Sequence, residues 1–146
     1  MSAHEEIARL LKDAAGSMKG DLKGALSMLQ KAYGLAAQTG VADDAAVVAE
    51  ELARAWGRAK SGARSLHYAR AATKLAPAQK ATWTTLAKTC ELVASRTREA
   101  TKQGRARALY RGAASAFKKA ASMAKDPEDK RWLLELAGDA AKQGKG

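Results

Sequence analysis

The sequence contains few of the residues that form disulfides, metal centres or catalytic sites. Among 146 residues there is one cysteine, Cys90, and there are two histidines, His4 and His67. One cysteine cannot form an intramolecular disulfide, and the histidines have no metal-ligand spacing with each other or with Cys90. Because Cys90 falls in an apolar helical position, we expect a buried structural thiol in a reducing, cytoplasmic setting. We predict no catalytic residue, no metal site and no cofactor.

Membrane-spanning and leader segments are also lacking. No apolar run approaches the length of about 18 residues that a transmembrane helix needs. The first residues include the acids Glu5 and Glu6, where a signal peptide has a basic region followed by an apolar one. We therefore expect a protein of the cytoplasm that does not associate with membranes.

The residues that are abundant favour helices. The sequence has only two prolines, and alanine, leucine, lysine, arginine and glutamate predominate. A chain of this length fits one domain with a sizeable core. The formal net charge is +11, from 26 lysines and arginines against 15 acids. Such an excess of positive charge points to an anionic partner.

Apolar residues recur at helical spacing along the chain. Trp83, Leu86, Ala87 and Cys90 follow a one-four-five-eight pattern, which places them on one helix face. Proline disfavours helical geometry in the residue before it, so Ala76–Pro77 is expected to end the preceding helix, 65–75. The same pattern recurs at Ile7, Leu10, Leu11 and Ala14, and at Ala49, Leu52, Ala53 and Trp56. Glycine or proline signals separate the segments at Gly16, Gly40, Ser61–Gly62 and Asp126–Pro127. Asp43–Asp44 is expected to cap the helix that follows Gly40 and to supply favourable charge at its start.

This order of elements resembles the tetratricopeptide repeat, a helix-turn-helix unit of about 34 residues with a W-x2-L-G-x2-Y pattern. The resemblance implies an all-α protein, a right-handed α-solenoid of about three repeats and a C-terminal capping helix. The single domain would contain repeats at 4–39, 42–76 and 78–125 and the capping helix at 128–142. About ten extra residues within Ser95–Arg107 lengthen the helices or form a loop. We expect Trp132 to close the core, with an exposed contact as the alternative, and the tail from Gln143 to be frayed.

A cationic residue lies five positions after the first apolar position of each pattern, at Lys12, Arg54 and Lys88. This places it about 140° round the helix from that first position, away from the packing face. In proteins similar to this one, that face of the first helices lines a concave peptide groove. The resemblance thus implies a groove for an acidic segment or a C-terminal carboxylate, although the asparagine of the family's carboxylate clamp is absent. The remaining candidate groove residues are Arg9, Arg58 and Arg131.

A second basic region covers 96–125, where nine lysines and arginines accompany one acid, Glu99. It is either a solvated outer face or a surface for nucleic-acid phosphates. Its candidate residues are Arg98, Lys102, Arg105, Arg107, Arg111 and Lys118. We therefore predict a non-enzymatic adaptor, monomeric or weakly dimeric, that binds an acidic segment of a partner protein. A nucleic-acid-binding helical protein and a secretion-type chaperone of similar architecture are the alternatives.

Overall fold

Seven α-helices account for nearly all of the chain that a computed structural model describes, residues 2–99 and 103–145 with the side chains of residues 98 and 99 excepted. No strand occurs among these residues. The helices are α1 (Ala3–Ser17), α2 (Leu22–Thr39), α3 (Ala42–Arg58), α4 (Gly62–Leu75), α5 (Lys80–Glu99), α6 (Gln103–Met123) and α7 (Pro127–Lys145). The all-α prediction is confirmed.

The helices form two compact units, Met1–Ala76 and Pro77–Gly146. In the first unit α1 packs on α2, α2 on α3 and α3 on α4, and α1 also touches α3. In the second unit α6 packs between α5 and α7. The boundary lies at the predicted Ala76–Pro77 break. The expectation of a single solenoid domain remains a prediction.

The core of the first unit consists of leucine, isoleucine and valine side chains among many alanines. Ile7, Leu10, Leu29 and Leu52 are all at most 5% exposed. The alanines carry one methyl group each, so neighbouring helices approach closely. The predicted packing faces of α1 and α3 are confirmed, because their apolar positions are buried or half-buried.

The core of the second unit surrounds Phe117, which is completely buried, together with Leu133 and Ala137. Cys90 is 4% exposed, which confirms the prediction of a buried thiol. The Nε1 atom of Trp83 donates a hydrogen bond to the carbonyl oxygen of Pro77 at 2.8 Å. This bond joins the turn to α5.

The helix ends in the first unit follow the turn signals, with one correction. Asp21 caps α2 by accepting a hydrogen bond from the backbone of Gly24 at 2.9 Å. Gly40 ends α2 with a φ of 69°, a left-handed conformation that glycine adopts without strain. The prediction that Asp43–Asp44 caps α3 is wrong, because α3 begins at Ala42 and its N-cap residue makes no side-chain bond. The two acids lie in the first turn, where their negative charge interacts favourably with the helix dipole, as expected.

The C-terminal region differs from expectation in two respects. The helix α7 continues to Lys145 beyond the predicted end at 142, and Gly144 is buried, so the tail up to Lys145 is not frayed. Trp132 is 58% exposed, so the prediction that it closes the core is wrong. Within the Ser95–Arg107 insertion, the described residues 95–99 and 103–107 lengthen α5 and α6.

Candidate ligand-binding surfaces

The first surface lies where α1 and α3 run side by side. These helices contact each other, and the Nδ1 atom of His4 lies 3.0 Å from Oδ2 of Asp44 near both N-termini. We infer that the two helices run in the same direction. At about 1.5 Å per residue, Lys12 lies about 12 Å along α1 from His4, and Arg54 lies about 15 Å along α3 from Asp44. The structure thus brings these two predicted groove residues to nearly the same level. Arg58 follows one turn later.

Two of the cations on α1 and α3, Arg9 and Arg54, form ion pairs with acids on their own helices. Arg9 lies 2.6 Å from Glu6 and 3.2 Å from Asp13. Its hydrogen bond holds the pKa of the Glu6 carboxyl below the usual value. Arg54 likewise pairs with acids one turn before it on α3, Glu51 at 2.5 Å and Glu50 at 3.7 Å.

Lys12 and Arg58 differ from these two arginines. Both side chains are exposed, and neither lies within 4.0 Å of a carboxylate oxygen among the residues that the structure describes. They are therefore the cations of this surface that remain available to a ligand.

The other two predicted groove residues, Lys88 and Arg131, lie on α5 and α7 of the second unit, and both are exposed. A contact between Lys80 and Asp129 joins the beginnings of these helices. Burial raises the pKa of Glu91, and the nearby Asp139 carboxylate raises it further, while Lys88 opposes the shift. Lys88 therefore lies among acids and not on a purely basic face.

The raised pKa of Glu91 predicts a pH effect on stability. A carboxyl whose pKa is higher in the folded than in the unfolded state destabilises the fold as pH rises above the unfolded value of about 4.5. Glu91→Gln should therefore raise the urea midpoint at pH 7 and change it little at pH 4. Glu135→Gln, at an exposed position of α7, is the control and should show no such difference. Equal behaviour of the two variants at both pH values would contradict the assignment.

The predicted anion surface of 96–125 is partly engaged in packing. Arg105, Lys118 and Lys119 are exposed on α6, whereas Arg107 is half-buried. The Nη1 atom of Arg111 donates a hydrogen bond to the carbonyl oxygen of Gly144 at 3.0 Å and so stabilises the end of α7. Of the remaining candidates, Lys102 and the side chain of Arg98 lie outside the described residues.

Sequence reasoning missed a third surface, on α4. Its exposed stripe contains Arg64, His67, Arg70 and Lys74. The guanidinium carbon of Arg64 lies 4.7 Å from the ring centroid of Trp56, a cation–π contact. None of the three cations has a carboxylate oxygen within 4.0 Å in the described part of the chain.

Charge is distributed unevenly between odd-numbered and even-numbered helices. The odd-numbered helices contain twelve lysines and arginines and thirteen acids, so their charges nearly cancel. The even-numbered helices contain no acid. Their ten cationic residues are Lys23, Lys31, Arg64, Arg70, Lys74, Arg105, Arg107, Arg111, Lys118 and Lys119. The excess positive charge of the helices therefore lies on α2, α4 and α6, a signal that the sequence contains once the helix bounds are known.

Other kinds of site find no support in the described residues. No group of three or more histidine, cysteine or acidic side chains there could hold a metal ion. Among those same residues, no helix is both long enough and apolar enough to span a bilayer. Compared with models of known protein families, the chain matches none, and comparison with curated proteins also gave no match.

Proposed function

We propose that the protein is a non-enzymatic adaptor built from tetratricopeptide-like helical hairpins, three repeats in a right-handed solenoid with α7 as the cap. Its ligand in this proposal is an acidic segment of a partner protein, bound on the exposed face of α1 and α3. The packing of each helix from α1 to α4 on the next one, and the contact between α1 and α3, support the repeat architecture. A reducing, cytoplasmic setting fits the buried thiol of Cys90.

One observation carries the ligand assignment: the His4–Asp44 contact at the N-termini of α1 and α3, from which the helix rise places Lys12 and Arg54 at nearly the same level. Arg58 follows one turn further on α3, and the 44%-exposed Val47 precedes Arg54 on the same helix. Glu50 and Glu51 hold the Arg54 guanidinium beside the helix, while Lys12 and Arg58 supply donors that no described carboxylate occupies. A peptide carboxylate could accept charge-assisted hydrogen bonds from them.

Substitution of the two available cations tests this assignment. The partner is first captured from lysate at about 0.15 M salt after nuclease treatment, and its acidic segment is then made as a labelled peptide. Lys12→Glu with Arg58→Glu should weaken peptide binding in fluorescence anisotropy at least about tenfold, because two exposed ion pairs of up to about 1 kcal/mol each are lost and repulsion is added.

The control, Lys142→Glu with Lys145→Glu on α7, makes the same change in net charge far along the chain from α1 and α3. It should leave the peptide affinity within about twofold of wild type. Equal losses in the two double variants would show that net charge alone attracts the peptide, and the proposed surface would be wrong.

A further inference from the structure

None of the three cations of α4 has a carboxylate close by among the described residues, and α4 itself contains no acid. Arg9 and Arg54 pair with carboxylates on their own helices. No described carboxylate oxygen lies within 4.0 Å of Arg64, Arg70 or Lys74. Arg70 and Lys74 are four residues apart, a spacing at which like charges destabilise a helix. A bound polyanion would relieve this repulsion.

An aromatic group accompanies these cations. The exposed His67 ring meets the Tyr68 ring edge to face, with centroids 5.0 Å apart and an interplanar angle of 82°. Tyr68 is held in turn by α2, where its ring packs at 5.5 Å against Tyr33 and its hydroxyl oxygen accepts a hydrogen bond from Nε2 of Gln30 at 3.0 Å. The imidazole of His67 therefore lies against a fixed neighbour, in the middle of the cationic stripe.

We propose that the exposed face of α4, formed by Arg64, His67, Arg70 and Lys74, binds single-stranded nucleic acid. The stripe extends about 15 Å along the helix, enough for the cations to contact successive phosphates of one strand. The His67 ring provides a surface on which an unpaired base stacks, as histidine and other aromatic rings do in proteins that bind single strands. This surface is distinct from the α1 and α3 face of the proposed adaptor function.

An anionic membrane is a poorer match for this face. Binding to a lipid surface combines cations with large apolar side chains that enter the acyl region. Every residue of α4 is described, and none of its exposed residues is a large apolar one. An acidic peptide would use the cations but would leave the His67 ring without a role.

The test measures binding of the full chain to a fluorescein-labelled 20-mer of uridine by anisotropy, between 50 and 200 mM salt. Each cation that contacts a phosphate of a single strand contributes about 0.7 to the slope of log affinity against log salt. The triple variant Arg64→Gln, Arg70→Gln and Lys74→Gln should therefore lower the magnitude of that slope by about 2. The control Lys12→Gln, Arg54→Gln and Arg58→Gln removes the same charge from α1 and α3 and should leave the slope unchanged.

His67→Ala should weaken binding to the single strand about fivefold or more, since a stacked base contributes that much or more to affinity. It should not change binding to a duplex of the same length. An unchanged slope in the α4 triple variant, or equal losses in the two triple variants, would overturn the proposal. The proposal would also be overturned if His67→Ala weakened binding to the single strand and to the duplex equally. Stronger binding of the protein to vesicles of anionic lipid than to the single strand would overturn it too. Loss of acidic-peptide binding in the α1 and α3 variants is a separate outcome, so the two proposals can fail independently.

Discussion

Replacing Gly144 by alanine is expected to destabilise the protein by about 1–3 kcal/mol, the usual range for forcing an extra methyl group into a packed site. Gly144 is buried near the end of α7. A Cβ atom there would lie 2.7 Å from Cγ of Arg111, and 3.3 Å from both the carbonyl oxygen of Arg107 and the amide nitrogen of Arg111. The last two atoms belong to the backbone of α6, so the helices themselves would have to separate.

The same substitution should also disturb a helix cap. Moving the Arg111 side chain away from the new methyl group weakens its hydrogen bond to the Gly144 carbonyl, at 3.0 Å in the structure. The last turn of α7 then loses a cationic donor that opposes the helix dipole.

Gly138, in the middle of α7, provides the matched control. No atom lies within 4 Å of a Cβ built at Gly138, which is exposed. Gly138→Ala should therefore stabilise the protein by about 0.5–1 kcal/mol through the better helix propensity of alanine. Urea unfolding followed by circular dichroism measures both effects. If the two variants change stability in the same direction, the packing of Gly144 on α6 is not as described.

Replacing Trp56 or Trp83 singly by phenylalanine is expected to give two variants whose free energies of unfolding differ by about 1–3 kcal/mol. The reason is that one indole N–H has a hydrogen-bond partner and the other has none among the described residues. Nε1 of Trp56 is buried and has no hydrogen-bond partner among the described residues. Nε1 of Trp83 donates to the Pro77 carbonyl oxygen. Trp56→Phe removes an unsatisfied donor and keeps an aromatic ring for Arg64, so stability should stay constant or rise. Trp83→Phe removes a satisfied donor and should lower it.

Thermal and urea unfolding of both variants measure this difference, and each variant is the control for the other because both lose the same atoms. A lower stability for Trp56→Phe than for Trp83→Phe would show that the Trp56 N–H has a partner. Peptide-binding and nucleic-acid measurements on the two proteins would show whether either ring affects a ligand surface.

Signals between neighbouring residues predicted the helices well. Pro77 predicted the end of α4 at Leu75, and Gly40 predicted the end of α2. The one-four-five-eight patterns identified buried faces, because a residue's position around its own helix depends only on its spacing from its neighbours.

Contacts between residues far apart in sequence could not be predicted in this way. Arg111 and Gly144 are 33 residues apart, and nothing near either residue indicates that one caps the helix of the other. The large apolar side chain of Trp132 suggested a core residue. Its position is one residue before Leu133, however, so it lies beside the apolar stripe of α7 and not on it. The Asp43–Asp44 error had a local cause, since α3 starts at Ala42, two residues earlier than an N-cap at Asp43 would place it.

The candidate surfaces were predicted only in part for a related reason. The spacing from the apolar positions of α1 and α3 identified Lys12 and Arg54. That spacing does not apply to α4, which is the second helix of its pair, so the cations of α4 were not predicted. Local charge density identified 96–125 but gave no sign that Arg111 contacts α7. The three cations of α4 are identified only when each charge is compared with its neighbours in space, because α4 has no acid of its own and no described carboxylate oxygen lies within 4.0 Å of them.

The burial of Cys90 gives the chain an internal reporter of local opening. Its thiol is 4% exposed, and Sγ lies 3.7 Å from the position that a Cβ of Gly112 would occupy on α6. A thiol reagent therefore reaches this atom only when α5 and α6 separate. Since the chain has no second cysteine, the labelling rate of the unaltered protein measures how often that helix pair opens, in the way that amide exchange does for a backbone hydrogen bond.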